Sequence, residues 1–134
     1  MENIKSMLIF ERYIVNRVEF IRNENHDSGQ KTKIQFSIYK DVKKTDNKMK
    51  VTLDTKIFEN AQENNYPFEM NIQITGYFSI ENESKLNFEP NAIAILYPYI
   101  RAIVSTYTAN ANVNALILPP INVNKFIQDT QKED

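Results

Sequence analysis

The chain has 134 residues, of which 25% are charged, and its formal net charge is -1. This length fits one domain, and so balanced a charge gives no single-sign field that would select nucleic acid or an anionic membrane. The absence of cysteine excludes a disulfide framework, a thiolate zinc site and a cysteine nucleophile. It is typical of a reducing compartment.

The N-terminal residues show no targeting signal. The apolar stretch at residues 7–10 is far shorter than the core of a signal peptide, and no basic region precedes it. No stretch approaches the roughly 18 apolar residues of a membrane-spanning helix. We therefore expect a cytoplasmic protein that does not insert into membranes.

Four segments alternate apolar and polar residues with the period of two that is typical of half-buried strands. The first is predicted at residues 13–23, and turn formers at residues 25–30 separate it from the second. The predicted apolar faces are Ile14, Val18 and Phe20; Ile34, Phe36 and Ile38; Met49, Val51, Leu53 and Ile57; and Phe68, Met70, Ile72, Ile74, Phe78 and Ile80. Residues 45–47 predict a tight hairpin turn. Such alternation predicts an antiparallel sheet with one wet and one dry face.

Two helices are predicted after the strands, which is an α+β order. The first covers residues 91–109 and begins near Pro90, and Pro98 is expected to kink it or to start a second segment. Its apolar residues surround nearly the whole circumference, so that a second subunit is its natural cover. The second helix is predicted at residues 122–131, with Val123, Phe126 and Ile127 on its apolar side.

The residue types needed for catalysis are scarce. His26 is the only histidine and lies among turn formers, and Gly29 and Gly76 are too far apart to form a phosphate-binding loop. We therefore expect no enzymatic activity, no metal site and no cofactor. A basic stretch surrounds the second hairpin: Lys40, Lys43, Lys44, Lys48, Lys50 and Lys56. It could attract acidic clients or nucleic acid, but solvated and edge-protecting lysines explain it equally well.

Three stretches in the C-terminal half form a specific pattern: G-Y-F-S-I at residues 76–80, P-N-A-I-A-I-L-Y-P-Y-I-R-A-I-V-S at residues 90–105 and L-I-L-P-P-I-N-V at residues 116–123. In these stretches the chain resembles the SecB family of export chaperones. In the N-terminal half, residues 13–20 align. The resemblance implies one domain over residues 1–134, with a four-stranded antiparallel sheet at about residues 13–81 and two helices on one face at about residues 91–131.

The resemblance also implies a function. Members of the family hold unfolded preproteins in apolar grooves without ATP, hand them to the SecA motor, and assemble as dimers of dimers. The implied client-binding groove consists of Phe36, Ile38, Phe68, Met70, Ile72, Leu118, Ile121, Val123 and Phe126. The expected oligomer interface consists of Tyr97, Tyr99, Ile100, Ile103 and Tyr107.

This chain departs from the family pattern at the positions that bind SecA. The acidic residues with which the family docks onto SecA align with Arg17, Ile21 and Asn71, none of which is acidic. A SecA partnership is therefore in doubt, and a chaperone dedicated to one client, such as an antitoxin, is an alternative. A non-enzymatic module that binds a small ligand or serves a structural role as an oligomer is a third hypothesis.

Overall fold

A computed structural model describes residues 7–27, 29, 32–81 and 87–126. Four antiparallel strands form a sheet in the order β1-β4-β3-β2. Their bounds are β1 Met7–Arg22, β2 Phe36–Thr45, β3 Lys48–Ile57 and β4 Phe68–Glu81. A short helix, α1 (Ala61–Asn64), precedes β4, and a long helix, α2 (Glu89–Asn110), follows it. The predicted α+β class and antiparallel sheet are confirmed.

The C-terminal segment follows α2. Residues 123–126 are helical, so the second C-terminal helix begins close to the predicted position. Its predicted continuation through residue 131, including Ile127, lies outside the described residues.

The core lies between α2 and the inner face of the sheet, which is made by alternate residues of the central strands. The predicted apolar faces of β3 and β4 are buried: Met49, Val51, Leu53 and Ile57, then Phe68, Met70, Ile72, Ile74, Phe78 and Ile80. The predicted hairpin between β2 and β3 is also present, with Asp46 at a positive φ of 46°.

The face predicted for β1 is wrong in part. The strand begins at Met7, six residues before the predicted start at residue 13, and its register shifts between Phe10 and Arg12 and again between Val15 and Arg17. Each β-bulge adds an unpaired residue, which reverses the side to which the following side chains point. As a result Ile14 lies on the opposite face from Val18 and Phe20.

The predicted start of β2 is also wrong, here because the strand begins later than the alternating pattern. The strand begins at Phe36, whereas Ile34 precedes it and is 43% exposed. Phe36 and Ile38 do point toward the core, and the strand continues to Thr45. An alternating pattern of three residues is too short to define where a strand begins.

Helix α2 is continuous through Pro98, so the expectation of a second segment at this position is wrong. Pro98 lies on the exposed side of the helix, where water can satisfy the carbonyl group that loses its hydrogen-bond donor. The residues that α2 buries are Ala92, Ile93, Leu96, Tyr97, Ile100, Val104 and Thr108.

Gly76 permits the close approach of α2 to β4. A Cβ atom at this position would lie 2.7 Å and 2.8 Å from the two Cδ atoms of Leu96 and 2.9 Å from Cε1 of Phe78. We expect Gly76→Ala to lower the free energy of unfolding by about 1–3 kcal/mol, because the added methyl group overpacks a closed core. Urea unfolding measures this loss. Gly29→Ala, at an exposed position, serves as the control, and equal midpoints for the two variants would contradict the expectation.

Candidate functional site

Helix α2 crosses the inner face of the sheet and packs against β1, β3 and β4. It therefore divides that side of the molecule into two surfaces. One flank of the helix faces β1, and the other is covered by the C-terminal segment that follows the helix. The residues predicted to contact other subunits all lie on α2, and four of the predicted client-binding residues lie in the C-terminal segment: Leu118, Ile121, Val123 and Phe126.

Side chains of α2 hold the connector, residues 116–119, by hydrogen bonds to the backbone of the connector. The Arg101 Nε group donates to the carbonyl oxygen of Leu118 at 3.0 Å, and the Tyr97 hydroxyl donates to the carbonyl oxygen of Pro119. Burial raises the pKa of the Tyr97 hydroxyl, an effect that the Arg101 charge opposes. The hydroxyl therefore stays protonated and remains a donor at neutral pH.

Thr108 fixes the other end of the connector. Its hydroxyl donates to the carbonyl oxygen of Val104 at 2.7 Å and accepts the backbone N–H of Leu116 at 2.8 Å. The carbonyl oxygen of Leu116 also accepts a hydrogen bond from Ser105 Oγ at 3.4 Å. Leu116 and Leu118 are buried while the intervening Ile117 is 68% exposed. The connector is thus held as an extended segment whose alternate side chains enter the core.

Removing the Thr108 hydroxyl tests the strength of this attachment. We expect Thr108→Val to lower the free energy of unfolding by about 1–3 kcal/mol, because the buried Leu116 N–H loses its acceptor. Thr108→Ser keeps the hydroxyl group and should retain most of the stability. The measurement is urea unfolding of both variants, and a loss in Thr108→Ser as large as that in Thr108→Val would contradict the expectation.

The predicted client-binding groove is split between the core and the surface. Ile38, Phe68, Met70, Ile72 and Leu118 are buried within the chain, so they do not form an open groove. The connector places its own leucines in this space. The remaining predicted residues pack against the core but stay partly open, and we call them the client rim: Phe36, Ile121, Val123 and Phe126.

The predicted oligomer interface is also split. Tyr97 and Ile100 are 4% and 0% exposed, so both belong to the core of the single chain. Tyr99, Ile103 and Tyr107 lie on the other flank of α2 and line a groove of about 620 Å³ beside β1. We call this the β1–α2 groove, and its lining is Tyr13, Tyr99, Ala102, Ile103, Thr106, Tyr107, Asn110 and Ala111.

Aromatic contacts form the base of the β1–α2 groove. The rings of Tyr13 and Tyr99 stack with centroids 4.2 Å apart, and the centroids of Phe20 and Tyr107 lie 5.2 Å apart. Tyr107 nevertheless remains 42% exposed. Because β1 is an edge strand of the sheet that the described residues form, this apolar groove lies next to backbone groups that no described strand pairs on their outer side.

Two further features bear on catalytic or metal-binding chemistry. Within the described residues, no group of three or more histidine, aspartate and glutamate side chains is placed to hold a metal ion. His26 lines a largely polar crevice of about 850 Å³ and its Nδ1 lies 3.0 Å from the carbonyl oxygen of Asn65. Because a carbonyl oxygen only accepts, Nδ1 carries the proton, and His26 ties a turn to the loop before β4.

No helix among the described residues is long and apolar enough to cross a membrane.

The three positions that depart from the SecA-binding pattern lie on the open face of the sheet, away from α2. Ile21 is 60% exposed. Arg17 forms ion pairs with Glu19 at 3.3 Å and with Asp54 at 3.5 Å. Acidic residues are therefore present beside Arg17, but its guanidinium group already engages them.

The attachment of the connector was not predicted from the sequence. The sequence pattern predicts Tyr97 at a subunit interface and gives no role to Arg101, Ser105 or Thr108. The available signal was their spacing, since all four residues fall on one flank of a helix with a repeat of three to four residues. A polar row of this kind is typical of a solvated helix face, so the spacing alone does not identify the connector as its partner.

The comparisons with known proteins agree with this architecture. Residues 15–134 match the family described as SecB, preprotein translocase subunit SecB. The protein MJ0357 of Methanocaldococcus jannaschii is 35% identical over 126 residues, which cover 89% of this chain and 81% of that protein.

Two solved structures share the fold. One is the SecB-like chaperone Rv1957 of Mycobacterium tuberculosis in complex with a ChAD peptide from the HigA1 antitoxin, with 16% identity, a TM-score of 0.64, and coverage of 86% of this chain and 91% of that one. The other is a protein of unknown function from Streptococcus agalactiae, with 17% identity, a TM-score of 0.53, and coverage of 87% and 99%. The family match over most of the sequence establishes that the chain belongs to the SecB family.

Proposed function

We propose that this protein is an ATP-independent holdase that binds unfolded polypeptide at the client rim. The observation that carries the proposal is the rim itself: Phe36, Ile121, Val123 and Phe126 pack against the core yet remain partly open. Membership of the SecB family supports a role as a chaperone. We further propose that the protein acts in the cytoplasm as a homotetramer, a dimer of dimers.

The chain's own connector supports the proposal, because it shows one way in which an extended backbone binds beside α2. Side chains of α2 bond to its backbone carbonyls, while Leu116 and Leu118 enter the apolar core. This mode depends on an extended backbone and on alternate apolar side chains, and little on which residues supply them. An unfolded client offers both features, whereas a folded protein has already buried them.

The free energy of client binding comes from apolar burial. Each Å² of apolar surface removed from water contributes about 25 cal/mol, so that a few rim side chains supply binding of moderate strength. Moderate affinity suits a protein that must release its client without ATP hydrolysis.

The test is suppression of aggregation. A chemically unfolded substrate protein is diluted into buffer that contains the purified chain and no nucleotide, and light scattering is followed. We expect scattering to fall as the chain is added, with no further change when ATP is supplied. Undiminished aggregation at a molar excess of the chain would overturn the proposal.

A chaperone dedicated to one client is the second candidate. The observation that favours it is the structural neighbour Rv1957, which is a SecB-like chaperone in complex with an antitoxin peptide. Protection of one antitoxin, with no protection of unrelated unfolded proteins, would establish this narrower function. Delivery of clients for export through SecA is the less favoured version, because Arg17, Ile21 and Asn71 replace the acidic docking residues.

A further inference from the structure

At one cross-strand level, the open face of the sheet carries a cation on three of its four strands and a tyrosine on the fourth. In cross-strand register, Arg12 on β1 lies opposite Tyr77 on β4. Tyr77 in turn lies opposite Lys50 on β3, and Lys50 lies opposite Lys43 on β2. We call Arg12, Lys50 and Lys43 the cation row. All three residues are exposed, on the face of the sheet that α2 does not cover.

Tyr77 organises the middle of the cation row. The Arg12 guanidinium carbon lies 4.2 Å from the centroid of the Tyr77 ring, and Lys50 Nζ lies 6.0 Å from the same centroid. Cation–π attraction therefore draws the two charges toward one ring. Because neighbouring strands are about 4.8 Å apart, the row from β1 to β2 spans about 14 Å.

The charges of the cation row are not neutralised within the described part of the chain. Lys43 and Lys50 are directly opposite each other, an arrangement of like charges that destabilises a sheet. Neither lysine forms an ion pair with a described acidic residue, and neither does Arg12. By contrast, Lys48, which lies two residues before Lys50 on β3, forms an ion pair with Glu11 at 2.8 Å. A bound anion would relieve the repulsion that the fold tolerates here.

We propose that the cation row docks an acidic segment of a partner polypeptide. Alternate side chains of an extended segment lie about 7 Å apart, so that acidic residues at three alternate positions span the same 14 Å or so as the row. The carboxylates then meet Arg12, Lys50 and Lys43 in turn. This surface faces away from the core and α2, so the acidic segment is a ligand distinct from the unfolded client, and the inference does not depend on the proposed function.

A polypeptide fits this surface better than a nucleic acid. The Tyr77 ring is already covered by the Arg12 guanidinium group, so it is not available to stack on a base. On the open face, Asp41 lies two residues before Lys43 on β2, to one side of the row. Glu81 lies four residues after Tyr77 on β4, to the other side of the row. These acids would repel a phosphate chain running along the strands. The net charge of -1 also contrasts with the strongly basic character of nucleic-acid-binding domains.

The test uses a fluorescein-labelled peptide of eight residues in which Ser and Glu alternate, with a Ser and Gln peptide as its neutral counterpart. Fluorescence anisotropy is measured with the full chain at low salt and at 0.3 M salt. We expect the acidic peptide to bind more tightly than the neutral one, and to lose affinity as salt is added. In the variant that combines Arg12→Gln, Lys43→Gln and Lys50→Gln, affinity should fall about tenfold, since three exposed ion pairs each contribute modestly.

A matched control removes the same number of charges elsewhere. The variant that combines Arg22→Gln, Lys33→Gln and Lys125→Gln should bind the acidic peptide within about twofold of the original chain, because these residues lie away from the row. Both variants should suppress aggregation of an unfolded substrate to the same extent as the original chain, whether or not that chain is a holdase. Peptide binding and aggregation suppression therefore test the two proposals separately.

Three results would overturn the inference. The first is equal binding of the Glu and Gln peptides by the original chain. The second is an equal loss of affinity in the row variant and in the control. The third is tighter binding of a single-stranded oligothymidylate than of the acidic peptide through the same three residues, which would identify the row as a nucleic-acid contact.

Discussion

Replacing Phe36 and Phe126 together by serine is expected to weaken client protection about thirtyfold. Each ring is partly buried already, so the area that a client can still cover contributes about 1 kcal/mol per ring, or about 2 kcal/mol and a factor of 30 for both. The measurement is the concentration of chain that halves the aggregation of a chemically unfolded substrate. The variant should require a much higher concentration than the original chain.

The control for this experiment removes an aromatic ring from the opposite face of the same strand. Tyr39 is 47% exposed and lies on the open face of β2, three residues from Phe36. Tyr39→Ser should leave protection nearly unchanged. Urea unfolding establishes that the rim variant is folded, and Val123→Ser gives a smaller truncation if it is not. Equal protection by the rim variants and the control would exclude the rim as the client site.

Phe68, unlike the rim residues, is unsuitable for such an experiment. Phe68 belongs to the groove that the family resemblance implies, but its side chain is 1% exposed and contacts both Phe20 and Phe58. Truncating a buried phenylalanine costs about 3–5 kcal/mol of stability. Loss of protection in a Phe68 variant would therefore report unfolding, and only the partly open residues can separate binding from stability.

The central strands were predicted well because their alternation is long. β3 and β4 alternate over Lys48–Ile57 and Phe68–Glu81, with Thr55 and Gly76 as the exceptions on the apolar face, and burial on one face follows from the alternation. β1 was predicted less well because of its β-bulges. At one of them the Asn16 side chain accepts a hydrogen bond from the Thr75 hydroxyl at 2.7 Å, a contact between residues far apart in the sequence. No local pattern could indicate this contact.

The candidate site could be predicted only in outline, because α2 is apolar on both flanks. Tyr97 and Tyr99 are close in sequence and equally aromatic, yet Tyr97 bonds to the connector and Tyr99 lines the β1–α2 groove. The difference depends on where the connector passes, which the helix sequence does not contain. The same uncertainty explains why Ile100 was assigned to an interface although it lies in the core.

Placing a charge in the β1–α2 groove is expected to dissociate the proposed oligomer. The reason for expecting assembly is the apolar lining beside an edge strand, which a second copy of the chain would cover. A carboxylate buried without a partner at such an interface costs at least about 3 kcal/mol, which weakens association more than a hundredfold. We therefore expect Ile103→Glu to convert the assembly into smaller species at micromolar concentration.

The single chain should still fold in this variant, because Ile103 is partly exposed and its side chain can reach solvent. Ala94→Glu introduces the same charge at an exposed position of the same helix and should leave the assembly intact. Light scattering after size exclusion gives the mass of each species, and circular dichroism tests whether the fold is kept. A monomeric original chain would remove the basis of the expectation. An Ile103→Glu variant with the mass of the original oligomer would show that subunits associate through a different surface, leaving the β1–α2 groove open to another apolar ligand.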